Sequence, residues 1–302
     1  MKKHNIISSI GIATLSFLSL TAFSPYGHAQ ESDTDPVCPD NPTDLNSVNG
    51  YCVLTPDKYE VKIYEMGLCT ANPLTSSGFD RSSCFQSLSN TTPFPADMAV
   101  GKSLILKSQN KVDPPKPGEY KHAFIIISPE FKLNFTYKVN GVNYYSNGVD
   151  SSVASPTDNA TTTPPAKDFT ETLNNFGDYE EGYSPTATAK VAGGSITAIL
   201  TDSNLNRSTS AAATTRLVGI FTPDKAITIG KGTKGLEVQF IVKDQAGGLQ
   251  SCADDGPPEF GEGDQGDFGE GDQQNFGQGT PEGMDQVCRF GSGPFSAKFK
   301  PF

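Results

Sequence analysis

The densest set of groups able to do chemistry lies between Cys252 and Cys288. Ten carboxylates sit there (Asp254, Asp255, Glu259, Glu262, Asp264, Asp267, Glu270, Asp272, Glu282 and Asp285) with no Lys or Arg among them. Clustered Asp and Glu on a Gly-rich backbone supply hard oxygen ligands, so calcium is the metal this composition suits. Glu262, Asp264, Asp267, Glu270 and Asp272 are the candidate calcium ligands, for a weak site. The competing reading is a solvated acidic loop. Three imperfect units of eight start at Glu259, Asp267 and Asn275, and each carries one Phe (Phe260, Phe268, Phe276). Glycine at every second or third position predicts a mobile, self-repelling segment without a packed core.

These units resemble the calcium-binding nonapeptide repeats of RTX proteins, Gly-Gly-x-Gly-x-Asp, only loosely. Their period is eight, the Gly-Gly pair is missing and Phe takes the repeating apolar position. No family assignment follows from that.

Cysteine is the other reactive type. Cys38, Cys52, Cys69, Cys84, Cys252 and Cys288 form an even set, as expected of disulfides in an exported chain. Six cysteines allow fifteen pairings. The expected scheme joins nearest neighbours: Cys38–Cys52, Cys69–Cys84 and Cys252–Cys288. Zinc is the rival, disfavoured because CxxC is absent and only His122 remains after the first 29 residues.

Enzyme signatures are lacking. There is no GxSxG, HExxH or GxxxxGK[ST]. His122 borders an apolar run and reads as a strand residue at a sheet edge. A glycosidase needs two facing carboxyls. Glu60 and Glu65 are five apart, which places them on opposite faces of a regular strand, and Glu180 and Glu181 sit in a polar stretch. Tyr144, Tyr145 and Tyr179 could stack on sugars, although the chain has no Trp.

The first residues indicate export. Lys2 and Lys3 precede an apolar stretch from Ile6 to Phe23, and Gly27-His28-Ala29 is a small-residue cleavage site. The expected location is extracellular or cell-surface, of bacterial type. No later stretch offers the ~18 apolar residues of a membrane-spanning helix. Loss of residues 1–29 removes two lysines and no acid, so the net charge of −11 becomes −13. The ten clustered acids account for most of it, and the remainder is near balance. A basic nucleic-acid surface is excluded.

The elements that position these groups read as strands. Phe131, Leu133, Phe135, Tyr137 and Val139 alternate with polar residues, and Asn140-Gly141 then favours a two-residue type I′ hairpin. That turn sets Val139 against Val142 and Tyr137 against Tyr144, all on the apolar face. The run 123–127 is apolar throughout, as in a strand covered on both faces. Further strands are expected at 59–63, 103–106, 190–192, 195–200, 216–221, 226–229 and 236–243, with a Gly193-Gly194 turn. No amphipathic helix is evident.

The expected fold is all-β: an antiparallel β-sandwich, jelly-roll or Ig-like, with long polar loops and disulfides. The expected organisation is a signal peptide (1–29), a polar segment outside the core (30–58) and a first strand group (59–147). A Ser/Thr/Pro-rich loop or linker (148–185) and a second strand group (186–302) follow, the latter including the acidic loop 253–287. One shared two-layer body is favoured over two domains. The expected function is non-enzymatic: a fibre, matrix or surface-layer subunit or adhesin that self-associates, or meets other surface components, through sheet edges. The alternatives are a calcium- or glycan-binding module and a hydrolase without a legible motif. Calcium is the only cofactor suggested.

Overall fold

A computed structural model describes residues 35–99, 110–112, 115–177, 182–191, 193–233, 236–252 and 286–302. The export signal, the strand expected at 103–106, Tyr179, Glu180, Glu181 and all five candidate calcium ligands lie outside the described residues. The described residues form twenty strands and three short 3-10 turns, with no α-helix among them. The chain is thus nearly all-β, and its strand pairs are almost all antiparallel. No helix of the described residues is long and apolar enough to cross a membrane.

One strand organises the rest. His122–Asn134 joins two runs that look separate in the sequence, passing straight through Ser128-Pro129-Glu130. Along one side it pairs with Lys58–Cys69, which pairs in turn with Cys84–Asp97. Along the other side its partner changes. Ala123 to Ile127 pair with Arg216–Pro223, whereas Glu130 to Leu133 pair with Phe169–Thr172. The sheet forks at Ser128-Pro129, where proline has no N–H to continue a ladder. The Pro129 carbonyl instead accepts the Leu173 N–H at 2.8 Å. One branch continues through Gly194–Thr201 to Thr186–Val191. The other ends on Ser151–Ser152.

Strands from before and after residues 148–185 therefore lie side by side in one sheet. Both faces of its centre are covered. Ile125, Ile127, Phe131 and Leu133 enter the main core, while Phe124 and Ile126 enter a second cluster with Val218 and Ile220. Over the main face lie the three-stranded sheet of Tyr51–Leu54, Gly247–Ser251 and Val287–Ser292 and the pair Leu236–Ile241 with Ser296–Pro301. Their aromatic side chains bridge the layers. Phe290 stacks on Phe135 at 5.0 Å, and Phe295 meets Tyr59 edge-on at 5.9 Å.

Several expectations need correction. Segment 30–58 was expected outside the core, yet Leu45, Cys52, Val53 and Leu54 are buried, because Tyr51–Leu54 pairs with Gly247–Ser251. Segment 148–185 is no bare loop or linker: it supplies Phe169 to the core and two strands to the main sheet.

The Phe131–Tyr145 hairpin is also divided. Phe131 to Asn134 stay in the central strand, while Thr136–Val139 turns away after Phe135 and pairs with Val142–Ser146. Tyr137 faces Tyr144 and Val139 faces Val142, with positive φ at Asn140 and Gly141 as the type I′ turn requires. The apolar face is covered unevenly. Val139 is buried in the main core and Tyr137 is half-buried, its hydroxyl donating to the Pro39 carbonyl, whereas Val142 on the returning strand is 45% exposed. In the second half, Gly194 is already a strand residue facing Val191, so the expected Gly193-Gly194 turn is displaced by one position.

The disulfides are Cys38–Cys52, Cys69–Cys84 and Cys252–Cys288. The last closes the neck of the acidic segment. Cys252 directly follows Gly247–Ser251 and Cys288 lies within the neighbouring strand Val287–Ser292, and the Cys252 N–H donates to the Gln286 carbonyl at 3.0 Å.

Candidate functional site: an interlayer cavity with a buried carboxyl

Where the sheet forks, the main face is incompletely filled. A half-open cavity of about 170 Å³ lies between the branches and the covering layer. Leu173, Phe176, Ile196, Ala198, Leu217 and Phe295 form its apolar wall. Glu171, Arg289, Gln250, Tyr51 and Ser292 converge at one corner. A volume of about 150 Å³ suffices for one benzene ring, so this space suits a small molecule. A second cavity of about 30 Å³, under Leu236–Ile241, is apolar and much smaller.

Glu171 reaches the cavity through strand alternation. Phe169 and Glu171 point inward, whereas Thr170 and Thr172 do not. The carboxylate oxygen Oε2 accepts the Ser292 N–H at 2.6 Å and the Ser292 hydroxyl. Gly291 faces Oε1 so closely that a Cβ there would lie 2.9 Å from it. Burial of the side chain, 6% exposed, holds its carboxyl above the usual glutamate range, against the pull of Ser292 and the Arg289 charge. Arg289 spans the corner, with its guanidinium 3.4 Å from both Gln250 Oε1 and Asp158 Oδ1. The phenols of Tyr51 and Tyr59 are both raised above the ordinary tyrosine value, chiefly by burial. The Tyr59 hydroxyl donates to the Gly293 carbonyl at 3.1 Å.

This arrangement fixes a pH response. An acid whose folded pKa exceeds its unfolded one stabilises the fold fully below the unfolded value and stops doing so as pH rises through the folded one. Glu171→Gln keeps the acceptor for Ser292 but does not ionise. The wild-type protein is expected to lose stability relative to Glu171→Gln as pH rises above the ordinary glutamate range, the two converging at the acid end. Parallel melting series check this, and a constant gap across the range would sink it.

The residues singled out from sequence lie elsewhere. His122 begins the central strand rather than standing at a sheet edge. Its Nδ1 is 2.9 Å from Thr222 Oγ1, and burial, then Lys121, lowers its pKa. Glu60 and Glu65 do not take opposite faces. The register shifts between Val61 and Glu65, so Ile63 and Met66 share the main core and both carboxylates fall on the other side. They are paired rather than poised, Glu60 with Lys58 at 3.8 Å and Glu65 with Arg81 at 2.7 Å. Tyr144 is packed in the core and Tyr145 is half-buried. Among the described residues no group of three or more His, Cys, Asp and Glu is placed to hold a metal.

Sequence reading missed Glu171 because it lies in a stretch rich in Ser, Thr and Pro. The signal was nonetheless present: Phe169, Glu171 and Leu173 alternate with two threonines, a period-two pattern carrying a carboxyl at an inward position. No family model, curated protein or solved structure matches this chain, so the cavity and its residues carry the functional argument.

Proposed function

We propose that this chain is an exported β-sandwich whose task is to bind a small amphipathic molecule in the interlayer cavity. The observation that carries the reading is Glu171, buried at the corner of an otherwise largely apolar space. For stability alone, an apolar side chain there would serve better, because burying a carboxyl is costly even when it is hydrogen-bonded. A few convergent polar groups in a mostly apolar cavity are the usual composition of a small-molecule site. Three disulfides suit an extracellular location.

Two rival readings have less support. Assembly through sheet edges rests on a feature shared by every open sheet, and one outer strand, Cys84–Asp97, carries Pro93 and Pro95, which offer no N–H to a newcomer. Hydrolysis of a glycoside needs two carboxyls, and Glu171 is the single one among the cavity's lining residues.

Titration with three six-carbon probes (hexanol, hexylamine and hexanoate) followed by amide chemical shifts tests the reading. At least one is expected to saturate with a Kd of about 1 mM or tighter, a value within reach of eight or fewer non-hydrogen atoms. The shifts should centre on Glu171, Leu217 and Arg289 to Gly293. Ala198→Phe, or Ala189→Phe should the first fold poorly, fills the space and should abolish them. No saturable shift with any of the three would overturn the proposal.

A further inference from the structure

The polar corner specifies a ligand more narrowly than the cavity's size does. Arg289 and Glu171 are the two charged residues among its lining groups. Both Ser292 contacts fall on Glu171 Oε2, while Oε1 faces the Gly291 backbone, itself part of the cavity lining. Gln250 accepts from Arg289 through Oε1, so its Nε2 is the end left to donate. The Tyr51 hydroxyl lies over Gly248, near enough that a Cβ there would sit 3.3 Å from it. The corner is therefore rich in donors: a guanidinium, an amide and a phenol. A neutral carboxyl adds a further donor, while an ionised one adds a second charge that opposes an anion.

We propose that the cavity takes a short-chain or single-ring monocarboxylate, received by the polar corner of Arg289, Gln250, Tyr51 and Glu171. The hydrocarbon then lies against Leu173, Ile196 and Leu217. This rests on the reading of the cavity as a ligand site. Two features favour a carboxylate over an amine. A guanidinium matches a carboxylate in shape as well as charge. Burial also extends the neutral form of Glu171 to higher pH, so its proton can be shared with the ligand. The other groups facing the corner do not reverse this. Tyr51 and Tyr59 hold their protons above the ordinary tyrosine value, and Asp158, which meets Arg289 from outside, is exposed.

The same three probes separate this inference from the reading it rests on. Hexanoate is expected to bind at least about tenfold more tightly than hexanol or hexylamine. Its affinity should fall as pH rises from about 5.5, where the probe itself is already ionised, toward the alkaline side. In Glu171→Gln the pH dependence should disappear, and Arg289→Gln should weaken hexanoate about tenfold or more while leaving hexanol unchanged. Saturable binding in which hexylamine or hexanol equals or exceeds hexanoate overturns the carboxylate assignment and leaves the cavity a ligand site. Hexanoate binding that ignores both Arg289→Gln and pH also overturns it. Failure of all three probes removes the site itself.

Discussion

Replacing Phe135 with Ala is expected to cost about 3–5 kcal/mol of stability, at the upper end of what single core substitutions do. Phe135 is fully buried and stands where the central strand hands over to the Thr136–Val139 hairpin. Its ring stacks on Phe290 at 5.0 Å with planes 5° apart, and Phe169 lies at 6.2 Å. The backbone of Gly247 presses on the same ring, so closely that a Cβ there would fall 2.3 Å from Phe135 Cε1. That backbone is held in a ladder with Leu54 and cannot follow the lost ring inward. The hole therefore stays open, and the cavity cost adds to the transfer cost. Thr136, the next residue, is exposed. Thr136→Arg should change stability by well under about 1 kcal/mol. Denaturant midpoints at unchanged slope measure both. A Phe135→Ala loss below about 1.5 kcal/mol would mean that the junction relaxes in a way this packing forbids.

Removing the Cys69–Cys84 disulfide by paired alanine substitution is expected to cost about 3 kcal/mol on loop entropy alone, for a closed loop of 15 residues. The bond joins cross-strand partners, Cys69 opposite Cys84, and Cys69 is fully buried. The loop it closes is not idle. Leu74 and Phe79 pack on the second core cluster, with Phe79 5.0 Å from Phe124. Releasing the loop thus endangers the cover over the back of the sheet. At about 2–4 °C per kcal/mol, the melting temperature should fall by about 6–12 °C. A fall no greater than that of an exposed Ser76→Ala control would show that strand pairing alone secures the loop.

Local chemistry was legible in the sequence wherever it is settled by neighbours along the chain. The turn residues Asn140 and Gly141 set Tyr137 against Tyr144, because two consecutive positive φ angles admit one register. The continuous apolar run 123–127 implied cover on both faces, and both are covered. The all-β character followed from period-two alternation without any competing helical period.

What the sequence could not contain is which strands meet. Ser128-Pro129-Glu130 looks like a break, yet Lys58–Cys69 pairs on both sides of it through a register shift, and the missing proline donor divides the opposite side between two strands. Glu171 looks like one polar residue among many. Its burial comes from Glu130 to Leu133 on one side and Ser292 on the other, 121 positions away in the chain. Alternation decides that a side chain points inward. Only the tertiary structure decides what waits there, because the desolvation that lifts the Glu171 carboxyl and the donors that hold it come from segments with no local signature of their meeting.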